Sequence, residues 1–295
     1  MSDFSGAIST LLIYPIKSCA SVACDRATLT SHGLKYDRQW MIVDQNGQCQ
    51  TQRQIPHLAW ITPTLSNDTI TLSAPGQPDL ALPVITPETA VGKPLRPIKI
   101  WADSLLAIDL GTEANAWLDR FLEVPGKQFY LVQFAPSETR LSDIAWTGEQ
   151  RAAVQFADGY AINVVSRAAL DLFNAKAQEL GLPPVDPLRF RPNIIIDGLA
   201  AHAEDEITWL YLGSENHPIE IALVKPCPRC QVPDIDPLTA VKEPLISQIL
   251  STYRQLPRMG HAICFGKNGV VRSGAGQDLY VNQPLTGTDS RFDNH

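Results

Sequence analysis

The chain has 295 residues, 44% hydrophobic and 19% charged, with a formal net charge of −7. That length and composition fit a folded chain with a sizeable core. The acidic balance argues against nucleic acid as a bulk partner, and no apolar run approaches the roughly 18 residues of a membrane span.

The first residues, Met1-Ser2-Asp3-Phe4-Ser5-Gly6, lack the basic region of a secretory signal, so a cytoplasmic location is expected. Six cysteines in a chain of this length do not read as a disulfide framework. Cys49 and Cys264 are expected to be buried, reduced and inert.

Strands dominate the first hundred residues. Apolar runs predict strands over 10–16 and 22–29, able to pair. Strands over 39–43 and 49–52 flank Asp44-Gln45-Asn46-Gly47, a hairpin signal because Asn-Gly suits positive φ. Strands over 58–65 and 69–72 flank the turn Ser66-Asn67-Asp68, and shorter ones follow over 99–101 and 105–109. Pro83, Pro87, Pro94 and Pro97 predict an irregular stretch between.

A helix is predicted over 113–122 with Thr112 as N-cap. A strand over 128–134 ends at Ala135-Pro136-Ser137, and the polar stretch to Phe156 reads as a mobile loop. A second helix is predicted over 167–180, capped by Ser166 and ended by Gly181. Helical spacing puts Leu170, Phe173, Ala177 and Leu180 towards the core. Strands over 193–197, 207–212 and 219–224, a helix over 244–254, and strands over 261–265, 269–272 and 278–281 complete the chain. Many short strands with few helices imply an α+β, β-barrel-rich protein. A boundary near 123–126 divides it into a strand-rich front, 1–125, and a mixed back, 126–295.

Chemistry concentrates at Lys225-Pro226-Cys227-Pro228-Arg229-Cys230, where a strand gives way to a loop. The adjacent cations favour thiolate, which is a nucleophile, a redox group or a soft-metal ligand. Four readings stand for this pair. Zinc needs four ligands, and Cys19 and Cys24 form the only other close pair. A thioredoxin-type dithiol would open a helix, whereas Pro233 and Pro237 point to a loop. Inert thiols and a single ligating or sulfur-carrying thiolate are the others. Cations at the edges of predicted strands, Lys17, Arg38, Arg53 and Arg191, would bind an anion if they converge.

Five ordered segments carry a resemblance over nearly the whole chain. Tyr14-Pro15-Ile16-Lys17-Ser18-Cys19 and Asp37-Arg38-Gln39-Trp40 resemble the N-terminal β-barrel region of the MOSC family, the molybdenum-cofactor sulfurase C-terminal domain proteins. Phe156-Ala157-Asp158-Gly159-Tyr160, Phe190-Arg191-Pro192-Asn193 and Pro228-Arg229-Cys230 resemble the MOSC domain itself. The nearest branch holds the mitochondrial amidoxime-reducing component and its bacterial relatives. The resemblance implies an N-terminal MOSC β-barrel domain over 1–125 and a MOSC domain over 126–295. It also implies a molybdenum cofactor, a metal on a pterin dithiolene with a phosphate tail. Cys230 then matches the metal ligand and the residue central to catalysis. Lys17, Ser18, Arg38, Thr51, Arg53, Arg191, Asn193 and Arg229 match positions around the cofactor. Val232-Pro233-Asp234 replaces a pair of threonines found in many relatives.

The activity implied is reduction of small N-hydroxylated substrates: amidoximes, hydroxylamines and N-hydroxylated bases. No iron–sulfur cluster is expected in this chain, since no cysteine-rich module follows Cys264. Electrons would come from a separate ferredoxin-like or flavoprotein partner. Asp236 is close enough in sequence to influence proton delivery, but capping its own loop is the simpler role. The other functional class is a molybdenum-cofactor carrier or sulfur-handling protein without turnover on N–O groups.

Overall fold

The back of the molecule is organised by a sheet that closes on itself. The computed structural model describes residues 3–66, 68–148, 151–214 and 216–289. Seven strands form the ring, in the order Ile162–Ser166, Ile194–Asp197, Asp3–Ile13, Pro284–Thr288, Trp209–Ser214, His217–Pro228 and Ala262–Ser273; the last pairs back with the first. Closure removes the exposed edges that an open sheet must protect. One junction is parallel, Ile162–Ser166 beside Ile194–Asp197. A parallel pair needs a crossover, and the helix Arg167–Glu179 supplies it.

Alternation sorts the side chains of these strands. Ile162, Val164, Ile194, Ile196, Ile221 and Leu223 fill the barrel core. Val165 and Ile195 face outwards and meet Ala169, Leu170 and Phe173 of the crossover helix, with Phe190 and Phe265 stacked at 4.0 Å beside them.

The front of the chain forms a second body of strands. Trp40–Asp44, Phe129–Phe134, Asp103–Asp109 and Leu95–Ile100 make an antiparallel sheet, and Thr62–Ser66, Thr69–Ser73 and Leu80–Pro83 make a meander. Every residue of Trp40–Asp44 is buried because both faces are covered. Trp40 and Ile42 pack with Trp117 and Phe129 in one core, while Met41 and Val43 pack with Phe134 and Phe156 in another. The strand Asp3–Ile13, although first in sequence, belongs to the back barrel.

Several expectations shift. The first strand runs over Asp3–Ile13 rather than 10–16, because the chain turns away at Pro15, which lacks an N–H for the ladder. Val22–Cys24 does pair with it, but Arg26–Thr30 pairs elsewhere, with Asp278–Tyr280. The strand expected over 58–65 begins only at Thr62, because Pro56–Trp60 forms a 3-10 turn that takes up its start; Asn67 of the adjoining turn lies outside the described residues. The first long helix spans Thr112–Leu122 with Gly111, at φ 96°, in the N-cap position. Leu180 caps the crossover helix and is exposed, not in the core. The two strands expected over 261–265 and 269–272 are one, Ala262–Ser273, and the barrel strands Ile162–Ser166 and Pro284–Thr288 have no counterpart among the predicted elements.

The stretch 135–156 is not a simple loop. Arg140–Leu141 pairs with Ala153–Val154, and a short helix, Ile144–Thr147, stands between them. Arg140 anchors this hairpin: its guanidinium is buried and donates to Asp103 Oδ2 at 2.6 Å, Gln155 O at 2.5 Å and Ala157 O at 2.8 Å. Among the described residues, no helix is long and apolar enough to cross a membrane.

Candidate functional site

A cavity of about 680 Å³ opens beside the outer face of the barrel, between it, the front body and the Arg140 hairpin. Lys17, Ser18, Arg38, Thr51 and Arg53 line it from the front of the chain. Arg191, Asn193, Arg229 and Cys230 line it from the back. The nine candidate residues therefore meet at one place. Asp236 is not among its lining residues; its Oδ2 accepts from Arg189 Nη2 at 2.7 Å and its Oδ1 accepts from the Leu238 N–H at 2.8 Å. Asp236 builds its own loop.

Backbone strain marks the lining. Ser18, Arg38, Trp101 and Arg191 all hold positive φ, at 66°, 48°, 55° and 52°. Each non-glycine residue in that region costs about 1–2 kcal/mol. Tertiary hydrogen bonds enforce it: the Arg38 N–H donates to Tyr14 O at 2.9 Å, and Lys17 N–H donates to Trp40 O at 2.8 Å. The segment before Lys17 is thereby fixed to the segment after Arg38. Gln52 Nε2 donates to Ser18 O at 2.7 Å and holds the Lys17-Ser18 turn.

The cations are stacked and aimed. The Tyr14 ring lies between the Arg38 and Arg191 guanidiniums, 4.2 and 4.1 Å from its centroid. Both Asp37 carboxylate oxygens accept from Arg38 Nη1 at 2.6 Å, and Oδ1 also accepts from the Tyr14 N–H at 2.8 Å. Arg191 Nη1 donates to Cys19 O at 2.8 Å, while its buried Nη2 has no partner. Burial first, and then the Arg38 charge, pull the Arg191 pKa down to about 10. Arg229 Nη2 donates to Phe190 O at 2.7 Å, and its buried Nε also has no partner. Unpaired buried donors are rare in folded proteins and mark places where a further acceptor belongs.

Lys17 sits on the opposite wall. Its Nζ donates to Phe156 O at 2.9 Å and to Asp158 Oδ1 at 2.5 Å. Asp158 is ringed by protein yet open to the cavity. Desolvation raises its pKa, but Lys17, by charge and hydrogen bond, and then Arg38 and Arg53 outweigh it and hold the carboxyl near 2. Arg53 and Lys17 both lie over the Trp101 ring, at 4.8 and 5.3 Å. The Thr51 hydroxyl donates to Gln54 Oε1 and faces Arg53 Nε at 3.4 Å.

Asn193 is largely committed to structure. Its Nδ2 donates to Leu12 O at 3.1 Å and its Oδ1 accepts from the Asn163 N–H at 3.1 Å. Cys230 is the exposed thiol of the pair, and the Cys227 sulfur faces Arg229 Nη1 at 3.2 Å. Burial pushes the thiols of Cys19, Cys49 and Cys264 up to about 12, 11 and 11, which makes them poor nucleophiles.

The lining also includes Trp101, Arg140 and Asn163, which sequence reasoning passed over. Arg140 lay in a stretch read as a loop, and Asn163 is one polar residue in the apolar run Ala161-Ile162-Asn163-Val164-Val165. A lone Arg in a polar stretch carries no local signal; a lone Asn inside an apolar strand does.

Fold and cavity together define a barrel protein whose inter-body cleft gathers cations with unpartnered buried donors and carries the exposed Cys230 thiol beside the half-buried Cys227. The chain belongs to the MOSC family, in the branch of the amidoxime-reducing components. The MOSC N-terminal beta barrel domain matches residues 5–125, and the MOSC domain matches residues 151–276. The chain is 32% identical over 292 residues to mitochondrial amidoxime-reducing component 1 of Mus musculus, covering 91% of this chain and 81% of that protein. It is 34% identical over 260 residues to the Homo sapiens protein of the same name, covering 85% and 72%. Molybdenum cofactor sulfurase of Homo sapiens is 29% identical over 263 residues, 84% of this chain but 28% of that longer protein.

Proposed function

We propose that the protein is a molybdenum-cofactor-binding oxidoreductase that reduces N-hydroxylated compounds, such as amidoximes, hydroxylamines or N-hydroxylated bases. One observation carries the reading: an exposed thiol, Cys230, shares a cavity with the unpartnered buried donors of Arg191 and Arg229. The residues fit such a group. A thiolate suits a soft metal, and fixed guanidiniums suit a phosphate through forked, charge-assisted hydrogen bonds. A cofactor that brings its own sulfur ligands needs one protein thiolate, not a cluster of side chains.

In this reading Cys230 ligates the metal, and Arg38, Arg191, Arg229 and Lys17 hold the phosphate and pterin. Ser18, Thr51, Arg53 and Asn193 complete the enclosure. The bound cofactor supplies the two-electron chemistry. Overall, R–NH–OH takes up two electrons and two protons and leaves as R–NH2 and water. The chain's own task is to orient the guest. Asp158 stays ionised and keeps the Lys17 ammonium in place, and Arg140 fixes the 155–158 segment that carries both of their contacts. Electrons come from a separate ferredoxin-like or flavoprotein donor.

The same proposal divides the chain into a front domain to residue 125 and a back domain from 126, with two exchanges: Asp3–Ile13 joins the back barrel and Phe129–Phe134 joins the front sheet. Six free cysteines support a reducing compartment such as the cytoplasm. The test is benzamidoxime reduction by cofactor-loaded protein with an artificial reductant. Benzamidine formation at a rate that tracks metal content is the expected result. Full metal loading without turnover would replace the reductase with a cofactor carrier or sulfur-handling protein.

A further inference from the structure

A row of polar side chains crosses the barrel's outer face inside the cavity. Lys225 pairs with Asn268 across one strand boundary, and Asn268 pairs with Asn163 across the next. Asn193 closes the row, since its N–H donates to Asn163 O at 2.8 Å. All four line the cavity. Asn193 lies at the guanidinium end; Lys225 lies at the far end, beneath the Arg140 hairpin.

Two features of this row ask for a ligand. Asn163 is 8% exposed, and its Oδ1 has no hydrogen-bond partner although its Nδ2 reaches Asn268 Oδ1 at 3.4 Å. A buried amide oxygen left unpaired is costly and wants an N–H. Lys225 makes no ion pair among the described residues. Its ammonium instead lies 5.0 Å from the Trp146 ring centroid and 5.9 Å from that of Tyr160. Those rings pack on Ala222, Val224 and Val270, which gives an apolar floor beside the charge. Two strand spacings, about 9–10 Å, separate Lys225 from Asn163, which is the scale of one substituted aromatic ring.

The geometry points to a substrate-recognition subsite: Asn163 accepts an N–H that neighbours the N–O group, and Lys225 receives an anionic substituent, carboxylate or phosphate, at the opposite end of the substrate. This rests on the reductase reading for the identity of the substrate, but not for the existence of the subsite. It selects amidoximes and N-hydroxylated bases that carry an anionic group over uncharged ones.

The experiment compares binding with turnover. Calorimetry on cofactor-loaded protein measures the unreactive pair 4-carboxybenzamide and benzamide. Wild type is expected to bind the carboxylate about 10-fold tighter, the scale of one charge-assisted hydrogen bond. Lys225→Met removes that preference, Lys225→Arg retains most of it, and Asn163→Leu weakens both ligands by about 5-fold. Phosphonate in place of carboxylate tests which anion is preferred. In steady state, 4-carboxybenzamidoxime should show a lower KM than benzamidoxime, and Lys225→Met should raise the KM of the carboxylated substrate and remove that difference. Equal binding of the two amides by wild type, or a preference that survives Lys225→Met, overturns the subsite. A binding preference without any turnover leaves the subsite standing and removes the reductase.

Discussion

Two buried cationic regions of this molecule use the same residue types to different ends. Behind the barrel, Arg254 donates from Nε to Cys264 O at 2.8 Å and from Nη2 to Asp205 Oδ2 at 2.7 Å. Lys267 Nζ beside it donates to Ile207 O at 2.6 Å and Asp205 O at 3.1 Å. Each cation there is answered by protein acceptors. In the cavity, Arg191 Nη2 and Arg229 Nε are left unanswered, and four residues hold strained backbone around them. The difference teaches where binding energy is kept. In the first region the cations are paired within the protein, and in the second two buried donors stay open, as the proposed cofactor would require.

The comparison breaks most visibly at Arg254. Arg254→Met strands the Asp205 carboxylate in a buried site, and loss of one partner of a buried pair costs about 3–5 kcal/mol. Denaturant unfolding should show that loss, while metal content per folded molecule stays unchanged. Arg191→Met should do the reverse. It removes a partly unsatisfied buried cation, so stability should move by less than about 1 kcal/mol, while retained molybdenum falls severalfold in metal analysis. If the two variants exchange these signatures, the division between fold and site is wrong.

The smallest effect is a pH dependence. Asp158 has its folded pKa held near 2, below the ordinary value of 3.8. Such a depressed carboxyl stabilises the fold fully above its unfolded pKa, and the contribution fades as pH falls from about 4 through 2. Its side chain is 72% exposed, so solvent screening keeps the contribution small. The thermal midpoint of Asp158→Asn should approach that of wild type as pH drops from 4 to 2. A gap that stays constant over that range would exclude the ionised Lys17–Asp158 contact as its source.

Local pattern made the crossover helix Arg167–Glu179 legible, because Leu170, Phe173 and Ala177 share one face. It did not make Leu180 legible, since a residue at the helix end can keep the spacing and still point to solvent. Barrel closure was hidden for a different reason. Asp3–Ile13 pairs with Pro284–Thr288, and no local signal links residues so far apart. Pro284-Leu285-Thr286-Gly287-Thr288 also reads as a turn, with Gly287 fitting because a Cβ there would meet Ile207 at 3.1 Å. The candidate site was legible as residue types at strand edges, and their meeting in one cavity required the fold. In sequence Lys225 is only a neighbour of the thiols; its row with Asn268 and Asn163 exists only through register.

The central claim is that Cys230 and the cations around it hold a molybdenum cofactor. Metal content by mass spectrometry tests it most directly, comparing wild type with Cys230→Ala from a host that makes the cofactor, with molybdate supplied. The exposed thiol contributes little to the core, so both proteins should fold alike. The account expects molybdenum in the wild type and its loss in Cys230→Ala. Wild-type protein without molybdenum from a verified cofactor-producing host, or equal molybdenum in both proteins, would contradict it.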